Sequence, residues 1–271
     1  MTARWWSPTP RRGSTGTDGA NTVSTTVPGA AQLPLALRYP PDQRFDTFVG
    51  APTGALAQLQ ALATGDERGG VLLQGPPGVG KTHLALAACA HAETGGLRSA
   101  FLPLASAAGR LAGALEALDT CDFIALDGLD TVPGTRDDEV ALFHFHNRAM
   151  DGGRRLLYTA DTPAAGLAIG LPDLRSRLAA CTVIALAPLD DDGRRELLQC
   201  RALRRGLVIE GAAIDWLLRR VGRDLGGLTR LLDQLDRASL AAQRRVTVPF
   251  LRQVLAAEAG SDGAGSPAGR G

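Results

Sequence analysis

Gly75-Pro76-Pro77-Gly78-Val79-Gly80-Lys81-Thr82 spells G-x-x-x-x-G-K-[ST], between an apolar run (Val71 to Leu73) and a helix-forming run (His83 to Ala92). A strand, a glycine loop and a helix in succession turn consecutive main-chain N–H groups toward one anion at the helix N-terminus. The helix end adds roughly half a positive charge. Gly75, Gly78 and Gly80 give the loop the freedom to converge on a phosphate. Lys81 is placed to reach the β/γ oxygens, and the Thr82 hydroxyl to complete the coordination of a Mg2+ that keeps most of its waters. A bare Gly-rich turn with a chance lysine is the competing reading, and the flanking strand and helix disfavour it.

At 271 residues, the chain accommodates one nucleotide-binding domain plus a small appendage. Its net charge of +1 supplies no global basic field for nucleic acid. Lys81 is the single lysine among 29 basic residues, the other 28 being arginines, which sharpens the functional reading of Lys81. Cys89, Cys121, Cys181 and Cys200 fall in apolar surroundings, with no C-x-x-C pair and no histidine at zinc-ligand spacing. They read as buried thiols of a reducing compartment. No apolar stretch approaches the roughly 20 residues of a membrane span, and the first residues lack the apolar segment of a signal peptide, so a cytoplasmic location is expected.

Short apolar runs alternate with helical patterns. Val71 to Gln74, Ser99 to Pro103, Asp122 to Asp127, Arg155 to Ala160 and Thr182 to Ala187 read as strands; Thr82 to Ala92, Ala105 to Leu118 and Asp137 to Asp151 read as helices. The alternation predicts an α/β fold with a parallel sheet and helices on both faces. From Asp190 onward the strand signal gives way to four segments of 3.6-residue periodicity, Asp190 to Arg205, Glu210 to Val221, Leu225 to Ala242 and Val248 to Ala257, predicting a small all-helical domain. Residues 1–30 and 259–271 are rich in Gly, Ser, Thr and Pro and are expected to be disordered. The expected division is therefore 1–30, a short apolar segment at 31–38, the α/β domain at 39–189, the helical domain at 190–258 and the tail.

Phe123-Ile124-Ala125-Leu126-Asp127 is an apolar strand ending in a carboxylate, at the distance where a Walker B strand belongs. Asp127 is expected to face Thr82 and hold the same Mg2+ through water. Many ATPases place a water-orienting acid next; here that place is Gly128, with Asp130 two residues on. Loss of such a group typically costs about 10²-fold to 10⁴-fold in rate, so nucleotide binding is better supported than hydrolysis. Asp161, after the strand Leu156 to Ala160, is either a sensor of the terminal phosphate or the first residue of an Asp-Thr-Pro turn. Arg175 and Arg177 lie on a short helix before the last strand, by default a solvated face, alternatively within reach of a neighbouring subunit's nucleotide.

Taken in order, the P-loop, the Walker B strand, Asp161, the Arg-Ser-Arg-Leu helix and the helical C-terminal domain resemble AAA+ P-loop ATPases of the DnaA branch. Arg44-Phe45-Asp46-Thr47-Phe48-Val49 is similar to that branch's adenine-side segment. Leu232-Asp233-Gln234-Leu235-Asp236-Arg237-Ala238-Ser239-Leu240, with Arg245 to Phe250, is similar to the end of its Hda-like regulators. The resemblance covers about Gln32 to Leu255.

The resemblance implies an AAA+ sheet domain with a helical lid, nucleotide contacts at Phe48 and His83 beside the P-loop residues, sensor 1 at Asp161 and an arginine finger at Arg177. It implies ADP (or ATP) with Mg2+ as ligand, ADP marking the active form. Gln32-Leu33-Pro34-Leu35-Ala36-Leu37 is similar to the peptide with which such regulators dock on the DNA polymerase sliding clamp, through Gln32, Leu33, Leu35 and Leu37. DnaA and the clamp are then the implied partners, DNA is reached through the clamp, and self-association stays open. The family's sensor 2 arginine departs: Gly226 occupies its place, with Arg223 and Arg230 nearby. The resemblance implies a negative regulator of replication initiation that stimulates hydrolysis of DnaA-bound ATP; the alternative is an autonomous AAA+ ATPase, such as a helicase loader or a DnaA-like initiator, and a small P-loop kinase has no use for the lid.

Overall fold

The computed structural model describes residues 39, 40, 42–65, 69–220, 232, 235, 238 and 245–261. Gln32 to Leu37, Arg223, Gly226, Arg230, residues 1–30 and most of the C-terminal tail lie outside the described residues.

Five strands form one parallel sheet in the order β2-β3-β4-β1-β5: β1 (Gly69–Gln74), β2 (Ser99–Pro103), β3 (Phe123–Asp127), β4 (Arg155–Ala160) and β5 (Thr182–Ala185). β3 and β4 are buried on both faces, which explains their continuous apolar reading. Successive residues still divide between two cores. Leu72, Ile124, Leu126, Leu156 and Tyr158 pack beneath α3 (Leu111–Glu116), α4 (Arg136–Asp151) and α5 (Pro172–Ala179). Val71, Leu73, Phe123, Ala125 and Leu157 face α1 (Ala55–Thr64) and α2 (Lys81–Thr94). The two-residue period of a strand produces this sorting.

α2 follows the glycine loop directly and is alanine-rich on the side it lays on the sheet: Ala85, Ala88 and Ala92 are fully buried. Small side chains let the helix approach closely and fix the height of the phosphate loop above the strand ends. A side chain at Gly70 would likewise collide with the Cys181 sulfur 2.7 Å away.

Several boundaries differ from the sequence reading. The helix expected from Ala105 to Leu118 is broken: a 3-10 turn at Leu104–Ala107 and α3 are separated at Gly109, whose φ of 74° ends helical geometry. The buried Asp138 holds this break open, accepting from the N–H groups of Gly109 (2.6 Å) and Leu111 (3.1 Å). β5 stops at Ala185, although the Leu186 N–H still donates to the Gln74 carbonyl. Only Cys89 and Cys181 are buried, Cys121 and Cys200 being half-buried; all four are free thiols, and burial raises Cys89 to about 12 and Cys181 to about 11.

The helical domain contains α6 (Asp191–Arg204), α7 (Gly211–Arg220) and a C-terminal helix, Val248–Ser261, that runs into the stretch expected to be tail. Asp190 caps α6, its carboxylate accepting from the Gly193 N–H at 2.8 Å. Leu198, Leu217, Leu235 and Leu251 form its core. An isolated parallel bridge, Ile209 with Val246, adds a strand contact that the periodicity does not announce.

Beneath α5, buried His146 shares a 2.9 Å hydrogen bond from Nδ1 with the Tyr158 hydroxyl. Burial, then the positive charge of Arg177, lowers the His146 pKa below its ordinary 6.5. A histidine with a lowered folded pKa binds its proton more readily when unfolded, so its contribution is complete above about pH 6.5 and is lost below it. Thermal melts from pH 8 to pH 5 should show the melting temperature falling below about pH 6.5, with part of that fall absent in His146→Gln.

Candidate nucleotide site

The C-terminal ends of β1, β3 and β4 open into a cleft of about 410 Å³ lined by the glycine loop, Asp127, Thr159 and Asp161, and by Leu197 and Arg201 of α6. Lys81 is the buried charge at its centre, only 9% exposed. Its ammonium donates to the carbonyls of Gly75 (2.6 Å) and Pro76 (3.0 Å) and pairs with Asp161 at 2.8 Å. Strands β1 and β4 are neighbours, so the loop leaving one and the carboxylate leaving the other meet across a single strand spacing.

Loop conformation depends on its glycines. Gly78 and Gly80 have φ of 82° and 98°, where a side chain is strained. A Cβ at Gly80 would also strike the Phe48 ring at 2.6 Å, and one at Gly75 would strike the Leu186 carbonyl oxygen. Pro76 and Pro77 carry no N–H, so the donors come later in the loop. The amides of Gly78, Val79, Gly80, Lys81 and Thr82 have no acceptor among the described residues. Five such amides beside a buried ammonium at a helix N-terminus form a cradle for a polyanion.

Beside it, the Thr82 hydroxyl lies 3.0 and 3.2 Å from the two Asp127 oxygens. Asp127 also accepts from Thr159 Oγ1 at 2.6 Å, and that oxygen accepts from the Gly128 N–H at 2.8 Å. Among the described residues no group of three or more His, Cys, Asp or Glu could hold a metal alone. A hydroxyl and one carboxylate fit Mg2+, a cation that takes few protein ligands and keeps its waters.

Gly128 has φ 88° and ψ 58°, a left-handed conformation that disfavours an acidic side chain at the position where a water-orienting acid would stand. Asp130, two residues on, turns elsewhere: it accepts from the Asp161 N–H (2.6 Å) and the Thr162 hydroxyl (3.0 Å), fixing the loop that presents Asp161 to Lys81.

The segment ahead of α1 closes the other end of the cleft. His83 Nε2 donates to the Arg44 carbonyl at 2.9 Å and lies 3.2 Å from the Thr47 hydroxyl; its ring meets Phe48 edge-on at 5.4 Å. Burial lowers the His83 pKa; the Arg44 carbonyl opposes this, and the charges of Arg201 and Arg204 add to it. Asp42 reaches the helical domain, pairing with Arg204 at 3.3 Å and Arg205 at 3.6 Å.

All the nucleotide-site residues expected from the sequence that lie among the described residues therefore converge: Phe48, Gly75, Gly78, Gly80, Lys81, Thr82, His83, Asp127 and Asp161. Arg177 does not join them. It lies exposed on α5 and, like Arg175, has no ion-pair partner among the described residues. Sequence reasoning missed Thr159 and Arg201. A small hydroxyl residue next to the end of a strand whose neighbours are bulky and apolar signals the first; nothing local signals the second, which reaches the cleft only because α6 folds back over it.

Residues 25–159 match the family described as IstB-like ATP binding protein, and residues 191–255 match the Hda lid domain. Domain III of the Thermotoga maritima replication initiation protein DnaA superposes with a TM-score of 0.69 at 20% identity, over 80% of this chain and 97% of that one. Aquifex aeolicus DnaA bound to AMPPCP gives 0.62 at 19% identity, over 73% and 66%. The Thermotoga maritima RuvB Holliday junction branch migration motor gives 0.59 at 19%, over 81% and 72%. A parallel sheet with its P-loop at the strand ends and a helical domain following it defines an AAA+ P-loop NTPase fold. These likenesses show the AAA+ fold, and the helical domain is similar to the Hda lid. Among the described residues no helix is long and apolar enough to cross a membrane.

Thr159 supplies a test of the Mg2+ side. Thr159→Val removes a hydrogen bond to a carboxylate, an interaction worth about 10-fold or more in affinity. ADP binding measured by calorimetry should weaken by about that factor with Mg2+ present and change little in EDTA.

Proposed function

We propose that this protein is a DnaA-directed regulator of replication initiation that holds ADP in its own cleft and promotes hydrolysis of the ATP bound by DnaA. The observation that carries the reading is the pairing of a well-built nucleotide cradle, with glycine rather than an acid after Asp127, and an exposed Arg177 outside that cradle. Such a molecule retains nucleotide better than it hydrolyses it, and offers its spare cation to another molecule.

In this reading Lys81 leaves the Gly75 and Pro76 carbonyls and Asp161 to hold the phosphates, while the loop amides fix their orientation. Thr82 and Asp127 hold Mg2+, whose role is to offset phosphate charge. Asp161 keeps a hydrogen-bonding position beside the outer phosphate. Leu197 and Arg201 bring α6 into contact with the ligand, so ADP ties the lid to the sheet domain; Arg201 takes the lid-side place that the sensor 2 position, Gly226, leaves without a side chain. Binding only the ordered arrangement stabilises it by mass action. Arg177 then reaches the DnaA-bound ATP, where an arginine supplied in trans neutralises charge developing on the transferring phosphoryl group, an effect worth about 10³-fold to 10⁵-fold in other NTPases. Gln32, Leu33, Leu35 and Leu37 dock on the sliding clamp, bringing the regulator to DNA.

Two experiments test this. In an assay of DnaA, clamp-loaded DNA and ADP-bound protein, Arg177→Ala should lower stimulated hydrolysis by about 10³-fold, to a small residual rate, while ADP affinity stays within about 2-fold, because the side chain lies outside the cleft; unchanged turnover would remove the finger. Deletion of residues 32–37 should abolish co-elution with the clamp, and retained binding would refute the docking role. Rapid hydrolysis by the isolated chain would instead favour the autonomous ATPase.

A further inference from the structure

α5, the helix that carries Arg177, is only eight residues long and begins without a side-chain cap of its own at Leu171. Its mouth is held from another element. Glu139, in the first turn of α4, accepts from the Gly170 N–H at 3.0 Å through one carboxylate oxygen and from the Leu171 N–H at 2.7 Å through the other. The side chain is 3% exposed, and no cation pairs with it among the described residues. A buried carboxylate without a counter-ion is costly to keep, and a neutral residue would fill the space more cheaply. What the carboxylate alone provides is two charge-assisted bonds in a fixed fork, setting both the position and the direction of the chain as it enters α5. Leu174 and Leu178 of α5 pack into the sheet core, but apolar contacts are non-directional and leave rotation and tilt of so short a helix to its anchored end.

Arg177 is six residues beyond Leu171, about 9 Å along the helix axis, so a small tilt at the mouth displaces its guanidinium by an ångström or more. Misplacement of that size costs about 10²-fold in reactions that depend on orientation. We propose that Glu139 is the positioning residue of the arginine finger: through the Gly170 and Leu171 amides it aims α5, and with it Arg177, at the partner's nucleotide. This rests on the reading of Arg177 as a finger acting in trans.

The experiment compares the ADP-bound full chain with Glu139→Gln, Arg177→Ala and the double variant in the DnaA hydrolysis assay with clamp on DNA. Glu139→Gln replaces one acceptor oxygen with an amide donor that opposes an N–H group. It should lower the stimulated rate at saturation by about 10-fold or more, with the half-saturating concentration and ADP affinity unchanged. The double variant should be no slower than Arg177→Ala alone, since a residue acting through Arg177 has nothing left to act on. In the isolated protein, hydrogen exchange at the Gly170 and Leu171 amides should quicken in Glu139→Gln while the amides of β1 and α2 keep their protection. Losses that multiply in the double variant, or a full stimulated rate despite faster exchange, would overturn the positioning role while leaving the finger in place. An Arg177→Ala variant as active as wild type would remove the finger, and the positioning role with it. Should Glu139→Gln fail to fold, Glu139→Asp, which keeps the charge but withdraws it by one methylene, is read by the same outcomes.

Discussion

Lys81 is the residue on which the rest depends. An ammonium group this deeply buried is costly unless every donor is met, and the chain meets them with two loop carbonyls and the Asp161 carboxylate. The arrangement also prepares the cleft. With Lys81 held at the floor of the loop by partners that phosphate oxygens can replace, its charge is near the binding position before a ligand arrives. Asp161, 45% exposed, is the partner most easily released to solvent. The pair thus contributes little net stability while fixing where the cation waits.

Around that charge lies a relay of short hydrogen bonds through adjacent strands. Asp127 on β3 is held by Thr159 on β4, Thr159 by the Gly128 amide, and the loop after β4 by Asp130. Together they join the ends of β3 and β4 to each other and to the loops that follow them. The polar side chains gather at one edge of the sheet because parallel strands bring all their C-terminal ends to the same side. At that side of the sheet Asp127 meets Thr82 and Thr159, Asp161 meets Lys81, and the position after Asp127 has a left-handed backbone suited to glycine.

Much of this was legible in the residues. β3 and β4 announce themselves as continuous apolar runs because a strand buried on both faces has no other way to be written; β2 and β4 match their expected bounds to the residue, although β2, at the sheet edge, has no fully buried residue. The P-loop and Asp127 were legible because a phosphate site needs particular residue types at fixed spacing. The break at Gly109 was not: Ala105 to Leu118 has acceptable helical periodicity, and what interrupts it is Asp138, distant in sequence, competing for the amides of Gly109 and Leu111. Arg201 was invisible for a similar reason. Its sequence surroundings are an ordinary amphipathic helix rich in arginine, and only docking of the helical domain against the sheet turns one of those arginines toward the cleft.

Glu139 and Asp138 show the same limit. In sequence they are two of three consecutive acids at the start of α4, the composition expected from the helix dipole alone. Folding gives them different work: Asp138 ties down the turn before α3, Glu139 the turn before α5, and both disappear from solvent in doing so. α4 therefore acts as a spine whose N-terminus sets the starting points of two neighbouring helices on one face of the sheet. A cation carried by α5 is positioned by this spine rather than by the nucleotide cleft, so the cleft and the exposed Arg177 rest on separate supports joined through the sheet.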